Sequence, residues 1–239
     1  SLERRAMSHA GVYRDSRDDN ATEVPYPEAF AQDEAVGAQG AKTQWRNALE
    51  LAMKSNKSQI WSKWFQLATV RPDGSPANRT VVFRGFVEGS DSLYIVTDSR
   101  SKKIGEIASN PWAEIAWYFT ISREQFRIRG KLQVVGPSFV AAASDHPNLA
   151  SLRVSAWQEM SHGARNGFAW PQPGDAPPAP AEVFSNAFAS PTIPPDTFSI
   201  VVMEPTDIDH LILKGTPQKR TLHTKSDSGS TWLSTLCNP

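Results

Sequence analysis

The chain has 239 residues, of which 39% are hydrophobic and 21% are charged, and its 25 basic and 25 acidic side chains balance to a formal net charge of zero. This length favours a single domain, and this apolar fraction can build a core, so a wholly disordered chain is excluded. The zero net charge argues against a nucleic-acid-binding protein, and no apolar run approaches the roughly 18 residues of a membrane helix.

The sequence offers little for metal or disulfide chemistry. Cys237 is the only cysteine, which excludes a disulfide framework and a cysteine-based zinc site. The five histidines are scattered without the short spacing of metal ligands, so no metal centre is expected. Residues 1–20 mix Arg and Asp without an apolar stretch, so we expect no secretory signal and an intracellular location, in the cytoplasm or in an organelle.

The first predicted elements change from helix to strand along the chain. Residues 1–40 are polar and without periodicity, which predicts a flexible arm. Apolar residues at helical spacing predict an amphipathic helix over 43–55, with Thr43 as its cap. Three β-branched and aromatic segments then predict strands at 64–70, 79–86 and 92–97. The turns between these strands are too short for a helical crossover, so the sheet is expected to be antiparallel.

Strands also dominate the rest of the chain. A short helix is predicted at 99–109, ended by Asn110-Pro111, and a longer one at 147–169. Residues 171–195 hold eight of the 18 prolines and predict a Pro-rich loop within the domain, because too few residues follow it for a second domain. Further strands are predicted at 112–119, 124–135, 198–205, 209–215, 219–224 and 230–236.

Together these elements predict a mainly β fold of the α+β type, with one domain over 41–239. Roughly nine short, mostly antiparallel strands with a few inserted helices indicate a closed or partly closed barrel. A dinucleotide-binding sheet is disfavoured, since strands and helices do not alternate and GxGxxG is absent.

Two arginines bracket the predicted strand at 79–86. Arg79 and Arg84 each carry a planar fork of donors that suits phosphate or carboxylate. Residues five apart face opposite sides of a straight strand, so a shared ligand requires a bend, a bulge or a long ligand. The alternative is an edge strand with two solvated arginines.

The segment from Thr97 to Lys103 follows a strand and opens a helix. Backbone N–H groups at a helix start favour an anion, and Arg100, Lys102 and Lys103 add positive charge there. The hydroxyl of Ser101 adds a further donor. The alternative is a capped surface helix with a solvated basic turn.

Two further polar residues are candidates for ligand contacts. The amide of Gln125 both donates and accepts, which suits the edge of a heteroaromatic ring, although a glutamine in a strand normally belongs to the polar surface. Arg153 can hold a second anion, or it can pack its stem against Trp157 at the surface. Since no catalytic triad, P-loop or zinc signature occurs, a phosphate-handling antiparallel barrel is the interpretation that remains.

Four segments occur in an order and spacing that resemble one family. They are RTVVFRGF, YIVTDSRSKKIGEI, REQFRIRGKLQVV and WQEMSHGARNGFAWPQPG. They resemble pyridoxamine 5′-phosphate oxidase-like FMN flavoproteins, and the last one resembles a branch found in plants, fungi and cyanobacteria. The resemblance covers about residues 43–239. It implies a split β-barrel and a homodimer with two FMN sites at the interface.

The resemblance also implies which residues bind FMN. It places Val96 and Thr97 beside the isoalloxazine ring and ribityl chain, and Gln125 on the ring. Arg220 is expected to be contributed by the other subunit. Arg84 stands where the family usually has Lys. The expected cofactor-binding residues are Arg79, Thr80, Val81, Val82, Phe83, Arg84, Val96, Thr97, Ser101, Lys102, Lys103, Gln125 and Arg220.

The substrate side departs from the family pattern. In SDHPNLASLR, only Ser151 and Arg153 are candidates for the substrate phosphate, together with Arg84. The run Thr216-Pro-Gln-Lys-Arg220 keeps the last arginine of the family's run but lacks its substrate Arg and His. The usual flavin-facing Trp corresponds to Leu211 or its neighbour. No catalytic residue is assigned.

Three functions are compatible with this sequence. The first is an FMN-dependent oxidase of pyridoxamine or pyridoxine 5′-phosphate, in which a hydride passes from C4′ of the phosphorylated substrate to flavin N5 and O₂ is the final acceptor. The second is an FMN reductase of another small molecule, which the missing Arg and His favour. The third is a non-catalytic protein that binds FMN or pyridoxal 5′-phosphate. The first is the expected function.

Overall fold

The structure, a computed structural model, describes residues 42–139, 148–176, 180–185, 190–226 and 231–239. The flexible arm predicted at 1–40 lies outside the described residues, as do parts of the Pro-rich segment 171–195. No helix in the described ranges is long and apolar enough to cross a membrane.

Nine strands in the described ranges form one sheet in which every pair is antiparallel. They are β1 Trp64–Val70, β2 Pro76–Val82, β3 Gly85–Phe86, β4 Leu93–Asp98, β5 Trp112–Phe119, β6 Glu124–Val135, β7 Phe198–Ile212, β8 Lys219–Lys225 and β9 Trp232–Cys237. The main path runs β2-β1-β5-β6-β7-β4-β3, and β8 and β9 continue from β7. The antiparallel prediction is confirmed, and β1, β5 and β6 have the predicted bounds.

Five short helices accompany the sheet in the ranges that the structure describes. They are α1 Gln44–Ser55, α2 Lys102–Ser109, α3 Leu149–Gln158, α4 His162–Asn166 and α5 Ala181–Ser185, with 3₁₀ turns at Ile60–Lys63 and Gly167–Ala169. The single helix predicted over 147–169 is therefore wrong. The side chain of Ser161 accepts a hydrogen bond from the Ala164 N–H and starts α4 as a separate helix. Thr43 precedes α1, but its side chain makes no capping hydrogen bond.

The predicted strand at 79–86 divides into β2 and β3, and this division closes the barrel. After Val82 the chain leaves β1, and at Gly85 it joins β4. In between, the Phe83 N–H donates to the Lys63 carbonyl at 2.7 Å, and the Arg84 N–H donates to the Tyr94 carbonyl at 3.0 Å. We call residues 83–84 the crossing. Because β2 and β3 are the two ends of the main strand path, the crossing joins the ends of the sheet into a partly closed barrel.

The strands predicted at 198–205 and 209–215 form one long strand, β7. The expected break at Pro205 is instead a bulge, since the register with β6 shifts between Arg129 and Gly130. A proline is tolerated there because its missing N–H falls where the ladder is already interrupted. A Cβ on Gly130 would lie 2.2 Å from the Glu204 carbonyl oxygen, so this close approach requires glycine. The first half of β7 pairs with β4 and the second half with β8, which splits the sheet.

Two apolar clusters lie on opposite sides of this sheet. One fills the barrel and includes the fully buried Trp45, Phe65 and Trp117. The other lies between the sheet and α3, where Trp157 packs against Phe198 with ring centroids 5.0 Å apart. Successive residues of β4 serve both clusters in turn, which is why this strand is buried on both faces.

Candidate functional site

Four polar side chains converge where β4 ends and α2 begins. The Lys103 ammonium donates hydrogen bonds to the Thr97 Oγ1 at 2.8 Å and to the Ser101 Oγ at 2.9 Å. The guanidinium of Arg79 lies close enough to Lys103 to act on its charge. We call Arg79, Thr97, Ser101 and Lys103 the cradle.

Arg79 is held in this position by a buried carboxylate. Its guanidinium donates to the Glu106 Oε2 at 2.6 Å, to the Thr69 Oγ1 and to the Leu67 carbonyl at 3.3 Å. Thr69 in turn donates to Glu106 at 2.5 Å. Glu106 comes from α2 and Thr69 from β1, so two elements fix the side chain of a residue on β2.

The electrostatics of the cradle favour an anion. Burial lowers the pKa of Lys103, and the positive charge of Arg79 lowers it further. Burial would raise the pKa of Glu106, but hydrogen bonds from Thr69 and Arg79 outweigh it, so that pKa lies below its ordinary value and the carboxylate stays charged. Two cations therefore face one internal carboxylate. A bound phosphate would relieve the repulsion between them and accept their charge-assisted hydrogen bonds.

The other two basic residues between Thr97 and Lys103, Arg100 and Lys102, do not join the cradle. The Arg100 guanidinium binds Asp98 in a two-nitrogen contact, with distances of 2.6 and 3.0 Å. Lys102 is exposed at the start of α2. The structure thus brings Lys103 into the cradle, while Arg100 is taken up by a local ion pair.

The residues between Arg79 and Arg84 have different surroundings. Val81 packs against the barrel core, whereas Thr80 pairs with Gln66 of β1 on the outside. Arg84 is exposed at the crossing. The bend that a shared ligand would require therefore exists, because the chain changes strand partners between Val82 and Gly85.

A cleft of about 190 Å³ opens between the crossing and the C-terminal end of α3. We call it the cleft. It is lined by Lys63, Val82, Phe83, Arg84, Tyr94, Ala156, Glu159 and Met160. Val96, two residues beyond Tyr94 on the same face of β4, packs against the neighbouring apolar cluster. The run 79–84 therefore begins at the cradle and ends at the cleft.

Three residues occupy directly paired positions on neighbouring strands: Gln125 on β6, Leu211 on β7 and Arg220 on β8. Paired residues of antiparallel strands project from the same face, so these three form a row on the outside of the barrel. We call them the outer row. Arg220 binds Asp209 through two nitrogens, at 2.9 and 2.7 Å. Within the described part of one chain, the structure gives no contact between the outer row and the cradle.

Arg153 is buried, with 8% of its surface exposed. Its Nε donates to the Phe198 carbonyl at 2.9 Å, and one terminal nitrogen donates to the Pro195 carbonyl at 2.8 Å. These bonds connect α3 to the start of β7, so the alternative in which Arg153 is a surface side chain is wrong. Ser151 is exposed, and neither residue lines the cleft. Their role in substrate binding stays a prediction.

Sequence reasoning missed several residues of these sites. Glu106 and Thr69 lie on elements distant in sequence from Arg79, and Lys63, Tyr94 and Glu159 meet only through packing. The sequence signal that could have indicated this site was Glu106, a carboxylate next to Ile107 on α2. Both side chains are buried.

Residues 42–136 match the family model described as pyridoxamine 5′-phosphate oxidase, FMN-binding domain. Pyridoxine/pyridoxamine 5′-phosphate oxidase 2 of Arabidopsis thaliana is 36% identical over 202 residues, which are 82% of this chain and 96% of that protein. The chain belongs to the pyridoxamine 5′-phosphate oxidase family. FMN is its cofactor, and its general activity is that of an FMN-dependent oxidoreductase.

Two solved structures agree with the fold. A pyridoxamine 5′-phosphate oxidase-related, FMN-binding protein of Nostoc punctiforme is 40% identical, with a TM-score of 0.76 over 83% of this chain and 100% of that one. PhzG of Burkholderia lata is 18% identical, with a TM-score of 0.65 over 84% and 95% of the two chains, and shares the fold. The expected family, the split barrel and the FMN cofactor are confirmed.

Proposed function

We propose that this member of the family oxidises pyridoxamine or pyridoxine 5′-phosphate to pyridoxal 5′-phosphate, with O₂ as the acceptor that becomes H₂O₂. The amine substrate also takes up water and releases ammonia. The single observation that carries the proposal is the continuous run 79–84, which connects the cationic cradle to a cleft whose charged side chains have no partner among the described residues. One end suits the phosphate of a nucleotide cofactor and the other suits a small charged substrate. The related Arabidopsis oxidase supports the choice of substrate.

In this proposal the cradle holds the FMN phosphate. Lys103 and Arg79 donate charge-assisted hydrogen bonds, and the Thr97 hydroxyl adds a further donor. The Ser101 hydroxyl donates to the Asp98 carbonyl at 2.7 Å and accepts from Lys103, so it holds the ammonium in place. Glu106 keeps the Arg79 guanidinium oriented. When bound, FMN supplies the two-electron acceptor that takes a hydride from the substrate.

In the cleft, the chain's own residues bind and orient the substrate. Arg84 and Lys63 attract its anionic group, and the Tyr94 hydroxyl offers a hydrogen bond. The apolar side chains of Phe83 and Met160 line the same cleft and reduce the water in contact with the reacting atoms.

We also propose a homodimer in which each protomer contributes Gln125 and Arg220 to the flavin site of its partner. The outer row supports this, because it lies on the exposed face of the sheet. The exposed Tyr118, paired with Gln125 on β5, extends that face with apolar surface suited to an interface.

Mixing two defective variants tests the dimer. Lys103→Gln weakens FMN binding by the cradle and Arg220→Gln weakens it by the outer row, so FMN is kept at a concentration that loads the wild type but neither variant alone. In a mixed dimer one site receives both defects and the other receives neither, so random reassociation is expected to restore about a quarter of the sites. Restoration of none would contradict the shared site.

Steady-state oxidation tests the substrate. We expect pyridoxal 5′-phosphate to form with matching consumption of O₂ when either substrate is supplied. A second candidate function is reduction of another small molecule with electrons from NAD(P)H, favoured by the absence of Arg and His in Thr216–Lys219. Flavin reduction by NAD(P)H, without any response to either B6 phosphate, would replace the first function by the second.

A further inference from the structure

Three charged side chains line the cleft without partners. Within the described part of the chain, the structure gives the side chains of Lys63, Arg84 and Glu159 no ion pair and no hydrogen bond. Arg84 and Glu159 face the same cleft from the crossing and from the end of α3, yet they do not pair with each other. Opposite charges that line one cleft without pairing are both available to a ligand of complementary charge.

A buried tyrosine, Tyr94, lines the same cleft. Tyr94 is 6% exposed, and among the described residues its hydroxyl has no hydrogen-bond partner. Burial raises its pKa, the carboxylate of Glu159 raises it further and Arg84 lowers it, so both charges act on this hydroxyl. Gly85 makes room for the ring, since a Cβ there would lie 3.0 Å from the Tyr94 Cε1. Since Tyr94 lines the cleft, a ligand bound there can take its hydroxyl as a hydrogen-bond partner.

The arrangement of charges restricts what the cleft can bind. A ligand with only anionic groups would gain from Arg84 and Lys63 but would be repelled by Glu159. A ligand with an anionic group and a hydroxyl would cover Glu159 without neutralising it, which is unfavourable for a carboxylate removed from water. A ligand with an anionic group and a protonated amine satisfies both ends.

We infer that the cleft recognises a small zwitterion, and that Glu159 selects the amine of the substrate. This inference rests on the proposed function, since it means that the chain prefers pyridoxamine 5′-phosphate to pyridoxine 5′-phosphate. The two compounds share the ring and the phosphate and differ in an amine against a hydroxyl. Arg84 and Lys63 attract the phosphate that both substrates share. Glu159 attracts the amine but not the hydroxyl, so it distinguishes the two substrates.

The test compares the two substrates in the wild type and in Glu159→Gln. We expect the wild type to have the higher kcat/KM for the amine. In the variant, KM for the amine should rise about tenfold or more, the factor expected for one lost hydrogen bond between charged groups, while kcat and FMN content stay unchanged. KM for the alcohol should hardly change, so the preference disappears. Glu88→Gln is the matched control, because Glu88 is exposed in the turn before β4 and does not line the cleft.

Equilibrium binding separates failure of this inference from failure of the proposed function. Dithionite-reduced holoprotein can bind both compounds but cannot oxidise them, so calorimetry gives two dissociation constants. Tighter binding of the amine that Glu159→Gln abolishes would support the inference even if neither compound is oxidised. Equal binding of both by the wild type would overturn it. Arg84→Gln gives a second check, since it should weaken both ligands by a similar factor, and weakening of only one would contradict the assigned ends of the site.

Discussion

Replacement of Lys103 by Met tests whether the cradle binds FMN. It should weaken FMN binding without lowering the stability of the apoprotein. Lys103 contributes one charge-assisted donor to the phosphate in our account, and such a hydrogen bond is worth about 1.5–3 kcal/mol. The dissociation constant of FMN should therefore rise about 10- to 150-fold. With FMN at about 100 times the wild-type dissociation constant, the wild type gains about 2.7 kcal/mol of stability from the ligand, whereas a variant with 30-fold weaker binding gains only about 0.9 kcal/mol.

The apoprotein should respond in the opposite sense. The pKa of Lys103 is lowered by burial and by Arg79, so at neutral pH its charge costs folding free energy. That cost begins to fall as the pH rises past the folded pKa and is gone above the ordinary pKa of lysine. Lys103→Met removes the cost, and the melting temperature of the apoprotein should stay the same or rise. Lys57→Met is the control, because Lys57 is exposed after α1.

Flavin fluorescence quenching gives the dissociation constant, and scanning calorimetry gives the melting temperatures with and without FMN. Wild-type FMN affinity in Lys103→Met would refute the assignment of the cradle. A large loss of apoprotein stability would refute the electrostatic argument, since it would mean that Lys103 holds the fold together.

Three other changes have specific expected outcomes. Gly130→Ala should destabilise the fold by at least about 2 kcal/mol in urea unfolding, because its Cβ would clash with the Glu204 carbonyl; wild-type stability would contradict the described bulge. Arg153→Gln should lower stability by about 1–3 kcal/mol and leave KM unchanged; a raised KM in a stable variant would instead support the predicted substrate role. Burial lowers the pKa of His223 to about 4, so stability should fall between about pH 6.5 and 4, and His223→Gln should remove that part of the pH profile.

Local patterns predicted the parts of the fold that depend on one segment alone. The alternation of Phe126, Ile128 and Gly130 with basic residues predicted the bounds of β6 and its solvent-facing side, because the other side of the strand packs in the barrel. The helical spacing of Trp45 and Leu49 likewise predicted α1. In both cases burial of one face decides the conformation, and the sequence carries that information directly.

Features that depend on a distant partner could not be predicted in this way. The division at Val82 arises because the chain exchanges β1 for β4, and Pro205 continues a strand because a bulge receives it. The burial of Arg153 depends on carbonyl groups more than 40 residues away in sequence. Since hydrophobic periodicity contains no information about such partners, the cradle's anchor Glu106 and the charged cleft became apparent only in three dimensions.

The central claim is that this flavoprotein takes electrons from a phosphorylated B6 compound bound beside its flavin. The most direct measurement is an anaerobic visible spectrum of the purified holoprotein during titration with pyridoxamine 5′-phosphate. We expect the yellow flavin absorbance to bleach as the compound is added and to return when air is admitted. Flavin that stays oxidised at saturating pyridoxamine 5′-phosphate and pyridoxine 5′-phosphate would contradict the claim.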